Sequence, residues 1–387
     1  MRTEDQIVLR SVKIAPTAGE LQELDDLLVG VTDWSYLQRI LIERGAAPLF
    51  FKKLGALKNS ACIPAEVMAG LQQTYYLTLS RGMLMYHVFS DVINAFRERG
   101  IQAIALKGIY LAESMYKDIA LRQFSDIDLL IQAEDGEKAL DILRTMGYTA
   151  YDSREREIVV KTKSEAIHYP PMIKEGVSIE LHTRLNRKKE SYDLPVERLW
   201  EHAVRVQINN TAVYTLDRCD TLIHLCVHAD KHFREGKIQF TCFNDICNFV
   251  DKYLPDWDEL IIRSRAYGCE SLVFEYIVLV NKYLCAAIPE SIQRTYSGLL
   301  TEADELRFIR YVGGNFETFS AVPFHLKNIR ELNSVFEKLK YLLAVVFPDK
   351  NFMLHSYKIR YSEFFWLYYP YRWYTGLRGL IQKKMFK

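Results

Sequence analysis

The hydrophobic period of this chain changes twice, and the two changes confine its architecture. From Glu20 to Arg99 the spacing is helical, in GELQELDDLL, then DWSYLQRILIERG, then a long stretch with Val67, Leu71, Tyr75, Leu79, Met83, Tyr86, Ile93 and Phe96. Asp33 before Trp34 suits an N-cap, Pro64 suits the first turn of the long helix, and Gly100 after Arg97 and Arg99 suits a C-terminal stop. At Gly100 the texture becomes short apolar runs between polar loops: IQAIAL (101–106), DIDLLI (126–131), YTAY (148–151), IVVKTK (158–163) and VSIELH (177–182). Such runs read as strands. Between the first two lies a helical stretch, IYLAESMY. Between the second and third lies EDGEKALDILRTMG, whose Ala139, Leu140, Ile142 and Leu143 make an apolar face before Gly147. From Asp217 the helical period returns in DTLIHLCVHADKHF, FNDICNFVDKYL and ESLVFEYIVLVNKYL, and continues to the end. The expectation is an α+β fold: a helical region over 1–95, a mixed-sheet core over 96–215 and a helical domain over 216–387.

Within the strand region, Asp126 and Asp128 are two residues apart, so both side chains leave the same face while Ile127 and Leu129 point to the other. Two carboxylates in one small volume repel and raise a pKa unless a cation lies between them, and a hard divalent ion with substrate phosphates meets that need. An exposed edge strand would satisfy the same pattern without chemistry. Upstream, Lys107-Gly108 stands where a strand gives way to a helix, a place where free N–H groups face a phosphate and glycine allows close approach. Arg122 adds a cation four residues before Asp126. The formal net charge is only +1, so no global field would hold a polyanion, and phosphate binding has to be local.

LKGIYLAESMY, LRQFSDIDLLI and VSIELHTRL together resemble the nucleotidyltransferase family related to DNA polymerase beta, and more narrowly a bacterial branch with an LKG element before an R-x-x-S-D-I-D-L-L block. The resemblance spans about residues 20–250. The wider superfamily opens the helix with Gly-Ser, where this chain has Lys107-Gly108. What the resemblance implies is a polymerase-beta-like core with a mixed sheet between helical regions. Asp126 and Asp128 would bind Mg²⁺ or Mn²⁺, and Glu180, flanked by Ile179 and Leu181, would complete the metal site and help activate an acceptor hydroxyl. Lys107, Gly108, Arg122 and Ser125 would bind the nucleotide. The implied reaction moves a nucleoside monophosphate from an NTP, most simply ATP, to a small molecule, peptide or protein, releasing pyrophosphate. A silent nucleotide-binding scaffold, an AMP-transferring protein modifier and a membrane-associated tailoring factor are the rival readings.

His182 shares a strand face with Glu180 and could serve as base, phosphate ligand or orienting partner. Arg184 continues the face, where a surface salt bridge accounts for it as well. His224, His228 and His232 repeat every four residues on one helix face beside Lys231. Neither HExxH nor an adjacent His-Asp pair is present, so a separate metal centre built with Asp245 is the weaker reading. The family branch has a similar H-x-x-K-H helix, which implies that Lys231 or His232 touches base or phosphate; a histidine-rich seam is the equal alternative. The final stretch, YSEFFWLYYPYRWYTGLRGLIQKKMFK, joins aromatics to Arg372, Arg378, Lys383, Lys384 and Lys387. Pro370, Gly376 and Gly379 interrupt it, so its aromatics are expected to pack against the helical region. No peripheral membrane contact and no long nucleic acid is expected. Seven cysteines without a CxxC pair predict free thiols, and the absence of an apolar leader in MRTEDQIVLRSVK predicts a cytoplasmic protein.

Overall fold

The computed structural model describes residues 1–150, 168–186, 190–234, 239–313, 334–348, 353 and 362–374; the run IVVKTK lies outside them. The chain divides into two compact units, Met1–Tyr151 with Glu157–Phe316, and Asp152–Arg156 with Glu317–Lys387. All seven cysteines are free thiols. Among the described residues no helix is long and apolar enough to cross a membrane.

Among its described residues the first unit holds seven strands: β1 (Ala103–Ala105), β2 (Asp126–Ile131), β3 (Thr149–Ala150), β4 (Met172–Lys174), β5 (Val177–His182), β6 (Val204–Ile208) and β7 (Thr211–Thr215). They form one mixed sheet in the order β3-β4-β5-β2-β1-β7-β6. β2 runs parallel to β5 and antiparallel to β1, and β1 runs parallel to β7. Because β2 lies in the middle of the sheet, its residues 127–131 are buried on both faces. That is why DIDLLI ends in an unbroken apolar run rather than an alternating one. The β6–β7 hairpin extends the sheet beyond the strands expected from sequence. Its two turn residues, Asn209 and Asn210, both have positive φ, 47° and 59°. Asparagine tolerates that conformation, and a two-residue turn matched to the strand twist requires it.

Helices precede and follow the sheet. α1 (Thr3–Ser11), which the apolar spacing did not announce, is followed by α2 (Ala18–Val29), α3 (Trp34–Glu43), α4 (Ala47–Lys53) and the 34-residue α5 (Ala65–Glu98). The Asp33 carboxylate caps α3 by accepting from the Tyr36 N–H at 2.8 Å. Pro64 occupies the N-cap of α5, and Gly100 ends that helix with φ +75°, a conformation that favours glycine. α6 (Lys107–Leu111) and a π-helical turn (Ala112–Tyr116) follow β1. α7 (Gly136–Thr145) buries Ala139, Leu140, Ile142 and Leu143 as its period requires. After the short α8 (Val196–Glu201) and the hairpin come α9 (Arg218–Arg234), α10 (Phe240–Tyr253), α11 (Trp257–Ala266), α12 (Glu270–Leu284), α13 (Glu290–Tyr296) and α14 (Glu302–Val312). Phe240, Phe243, Phe308 and Tyr311 form an aromatic core between α10 and α14. The Arg44 Nη2 donates to the Tyr311 carbonyl at 2.7 Å, which ties the N-terminal helices to the C-terminal ones within this unit.

The described part of the second unit comprises a helix, Val335–Val346, the residue Met353, a 3-10 helix, Ser362–Tyr368, and the helical residues 369–374 that follow it. Tyr369 donates to the Pro348 carbonyl at 2.7 Å, and the Trp373 indole to the Val346 carbonyl at 3.0 Å. Tyr369 packs as the sequence reading expects, whereas Trp373 meets the rings of Phe347 and Tyr369 but stays 39% exposed. Phe364, Trp366 and Tyr374 do not pack in that way; each is more than half exposed.

Candidate active site

The parallel pairing of β2 with β5 sets Asp128 directly beside Glu180 and Asp126 beside Ser178. Ile127, Leu129, Ile179 and Leu181 are completely buried on the opposite face, so the apolar residues of the two strands fix the register that gathers the carboxylates. Asp128 is buried, whereas Asp126 and Glu180 keep partial exposure.

Lys107 completes this cluster from the start of α6. Its backbone has φ +39°, a left-handed conformation costly for a residue with a Cβ. The side chain donates to Asp128 Oδ2 at 3.0 Å and to His228 Nδ1 at 3.4 Å. On the other oxygen of the same carboxylate, His182 Nε2 donates to Asp128 Oδ1 at 2.8 Å and lies 3.7 Å from Glu180 Oε2. An ionised carboxylate only accepts, so His182 carries its proton on Nε2. Its Nδ1 is then a buried lone pair with no partner among the described residues.

These contacts separate the three acids electrostatically. Burial alone would raise the Asp128 pKa, yet Lys107 and the His182 hydrogen bond hold it well below the usual carboxylate value. Burial and the neighbouring Asp128 charge raise both Asp126 and Glu180. His182 is pushed down by burial against the opposing pull of Asp128, and His228 falls well below the ordinary imidazole value through burial and the Lys107 charge. A neutral His228 is therefore the form that accepts from Lys107.

Arg122 is held differently. It makes a bidentate pair with Asp245 on α10, Nη2 to Oδ2 at 2.7 Å and Nε to Oδ1 at 3.0 Å, and Tyr116 donates to the same carboxylate at 2.9 Å. Burial would lower the guanidinium pKa, but Asp245 raises it. Asp245 is thus the counter-ion of Arg122 rather than a ligand with the histidine stripe. Gly108 packs closely under this pair, and a Cβ there would sit a tight 3.2 Å from both Arg122 Nη1 and Phe124 Cβ. The segment before β2 is fixed further by Arg81, whose Nη2 donates to the Gly176 carbonyl at 2.6 Å and the Ser125 carbonyl at 3.4 Å.

Lys107, Gly108, Arg122, Ser125, Asp126, Asp128, Glu180, His182, Lys231 and His232 all line one cavity of about 660 Å³. That volume lies in the ordinary range for small-molecule sites. His224 and His228 line it too, and the rings of His228 and His232 meet edge to face at 4.3 Å. The histidine face of α9 therefore forms a wall of the cavity. Arg184 is absent from the lining. The wall also contains residues that sequence reasoning did not name, among them His168, whose ring lies 5.2 Å from that of His182, and Tyr192. Only folding brings them in, and neither stands in a pattern that marks it.

Asp128, Glu180 and His182 each place one ligand atom within 4.8 Å of the others. The three acids, against the one ammonium bonded to them, leave two negative charges, and Asp126 and Glu180 are held toward protonation by repulsion and burial. A divalent cation fits such an oxygen-rich, charge-deficient set. A second acidic group, His202 with Asp217 and Asp220, differs because Arg263 already bridges both carboxylates at 2.6 and 3.2 Å.

A family model described as an uncharacterised nucleotidyltransferase matches residues 31–284, which is more than half of the chain and includes every residue of the acidic cluster. No curated protein and no solved structure matches the chain.

Proposed function

The chain belongs to the uncharacterised nucleotidyltransferase family, and from that premise we propose a Mg²⁺-dependent enzyme that transfers a nucleoside monophosphate from an NTP, ATP foremost, to a hydroxyl of a small molecule, peptide or protein. The observation that carries this reading is the register of Asp128 opposite Glu180 with Asp126 on the same face, beneath a cavity walled by Lys107 and the histidine face of α9.

Asp126, Asp128 and Glu180 would hold the cation, which when bound supplies Lewis-acid polarisation of the phosphoryl oxygens. His182 fixes the Asp128 carboxylate by hydrogen bonding to Oδ1, so the acid does not rotate away from the cavity. Lys107 offers an ammonium to the triphosphate. Lys231 or His232, both of which line the cavity, would meet phosphate or base. Glu180, with its raised pKa, takes the proton of the acceptor hydroxyl. The acceptor oxygen forms its bond to the α-phosphorus as the bond to the β-bridging oxygen breaks, and pyrophosphate leaves with that electron pair. The test is a pyrophosphate-release screen across acceptor classes with each NTP and Mg²⁺. Release that depends on both an acceptor and Glu180 supports the proposal, and binding without release from any acceptor class rejects it.

One observation favours a silent nucleotide-binding scaffold as the second reading. Both oxygens of Asp128 are already engaged, one by Lys107 and one by His182. If the ammonium stays there once nucleotide binds, Lys107 takes the place of a cation. NTP binding that is indifferent to Mg²⁺ would identify that case.

A further inference from the structure

The second unit has a surface that the proposed chemistry does not use. On the helix Val335–Val346, Val335, Phe336, Leu339, Leu342, Leu343 and Val346 follow the spacing of a single face, and every one is exposed. Phe336 is 75% exposed and Leu343 53%. Trp366 and Tyr374 add exposed aromatic rings from the later helical stretch. An apolar row of this size is uncommon on a surface that meets only water.

Charge indicates what covers it. Residues 317–387 contain twelve Lys and Arg against five Asp and Glu, a net charge of +7, although the whole chain carries only +1. Beyond Glu363 there is no acidic residue, and Arg372, Arg378, Lys383, Lys384 and Lys387 follow. We infer that the second unit docks on an anionic lipid bilayer, with the aliphatic row of Val335–Val346 in the acyl boundary, Trp366 and Tyr374 at headgroup depth, and the net positive charge of the unit's sequence drawing it to the lipid. Amphipathic helices, interfacial aromatics and polybasic segments bind bilayers in that arrangement. A second copy would bring +7 against +7. A nucleic acid would use the cations and the rings but has no use for an aliphatic row.

The test is flotation of the full chain with vesicles of phosphatidylcholine alone and of phosphatidylcholine with phosphatidylserine. The protein should float with the anionic vesicles and remain below with the neutral ones, and added salt should release it. Lys383→Gln and Lys384→Gln should each lower the bound-to-free ratio roughly fivefold. Phe336→Ser/Leu339→Ser/Leu343→Ser, all at exposed positions, should abolish flotation while NTP binding by the first unit is unchanged. Retention in solution with both vesicle types overturns the inference, as does equal flotation with neutral lipid. So does a concentration-dependent dimer, or capture by a single-stranded RNA oligonucleotide, in a protein that ignores vesicles.

Discussion

The Lys107 ammonium lies 3.0 Å from Asp128 Oδ2, and the backbone that delivers it is held at φ +39°. A lysine in a left-handed conformation at the mouth of a helix implies that the side chain is worth more to the site than the strain costs the fold.

Lys107→Gly and Lys107→Ala separate those two quantities. Both remove the ammonium, and both should lower turnover by roughly 10²–10³, the scale of loss when one preorganised oxyanion donor is removed from an active site. The glycine variant should be the more stable of the two by about 1 kcal/mol, because only alanine keeps the Cβ strain. Urea unfolding measures the difference, and equal stabilities would show that the backbone there is not strained.

Asp126 bears on stability as well as activity. Its pKa in the folded chain is raised by burial and by Asp128, so the unfolded chain ionises first as pH rises. The destabilisation begins above the ordinary carboxylate pKa and is complete once pH passes the raised folded value. Asp126→Asn should therefore melt higher than the native chain at pH 7 without metal and lose that advantage in acid. Mg²⁺ should raise the melting temperature of the native chain and leave the variant nearly unmoved.

How much of this could be read from residues alone differs from element to element. β2 and β5 were legible because Ile127, Leu129, Ile179 and Leu181 force one register, which brings the acids together whatever else the chain does. The hairpin VRVQI-NN-TAVYT was legible in principle, since two asparagines between alternating runs are a turn signal, but its polar outer face hid the strands. Asp245 was not legible as the partner of Arg122, because 123 residues separate them and nothing local marks the pair. The tail reading failed for Phe364, Trp366 and Tyr374 because abundance of aromatics implies burial only where enough core exists to receive them.

The Arg122–Asp245 pair should be costly to halve and cheap to replace. Asp245→Ala leaves an unpaired buried guanidinium and should destabilise the protein by roughly 3–5 kcal/mol. Arg122→Met/Asp245→Leu should recover most of that loss while lowering NTP affinity. A double variant as unstable as the single one would mean that the pair fixes the segment before β2 by more than its charge.

Lys53 provides a control remote from the chemistry. Buried, it donates to the Ser11 and Leu49 carbonyls, and burial lowers its pKa to about 7. Below pH 7 the charged form carries its full penalty in the folded chain. As pH rises from about 7 toward the ordinary lysine value near 10.5 the folded state loses its proton first, and stability increases. The native chain should gain stability over that range by an amount on the order of a few kcal/mol, and Lys53→Met should flatten the slope.

Calorimetric titration of ATP, GTP, CTP and UTP into the native chain and into Asp126→Asn/Asp128→Asn, each with and without Mg²⁺, bears on the proposal most directly. At least one nucleotide should bind the native chain only when Mg²⁺ is present, and the folded variant should bind none. Absence of binding by every nucleotide under both conditions would contradict the proposal and leave the acidic cavity with some other ligand.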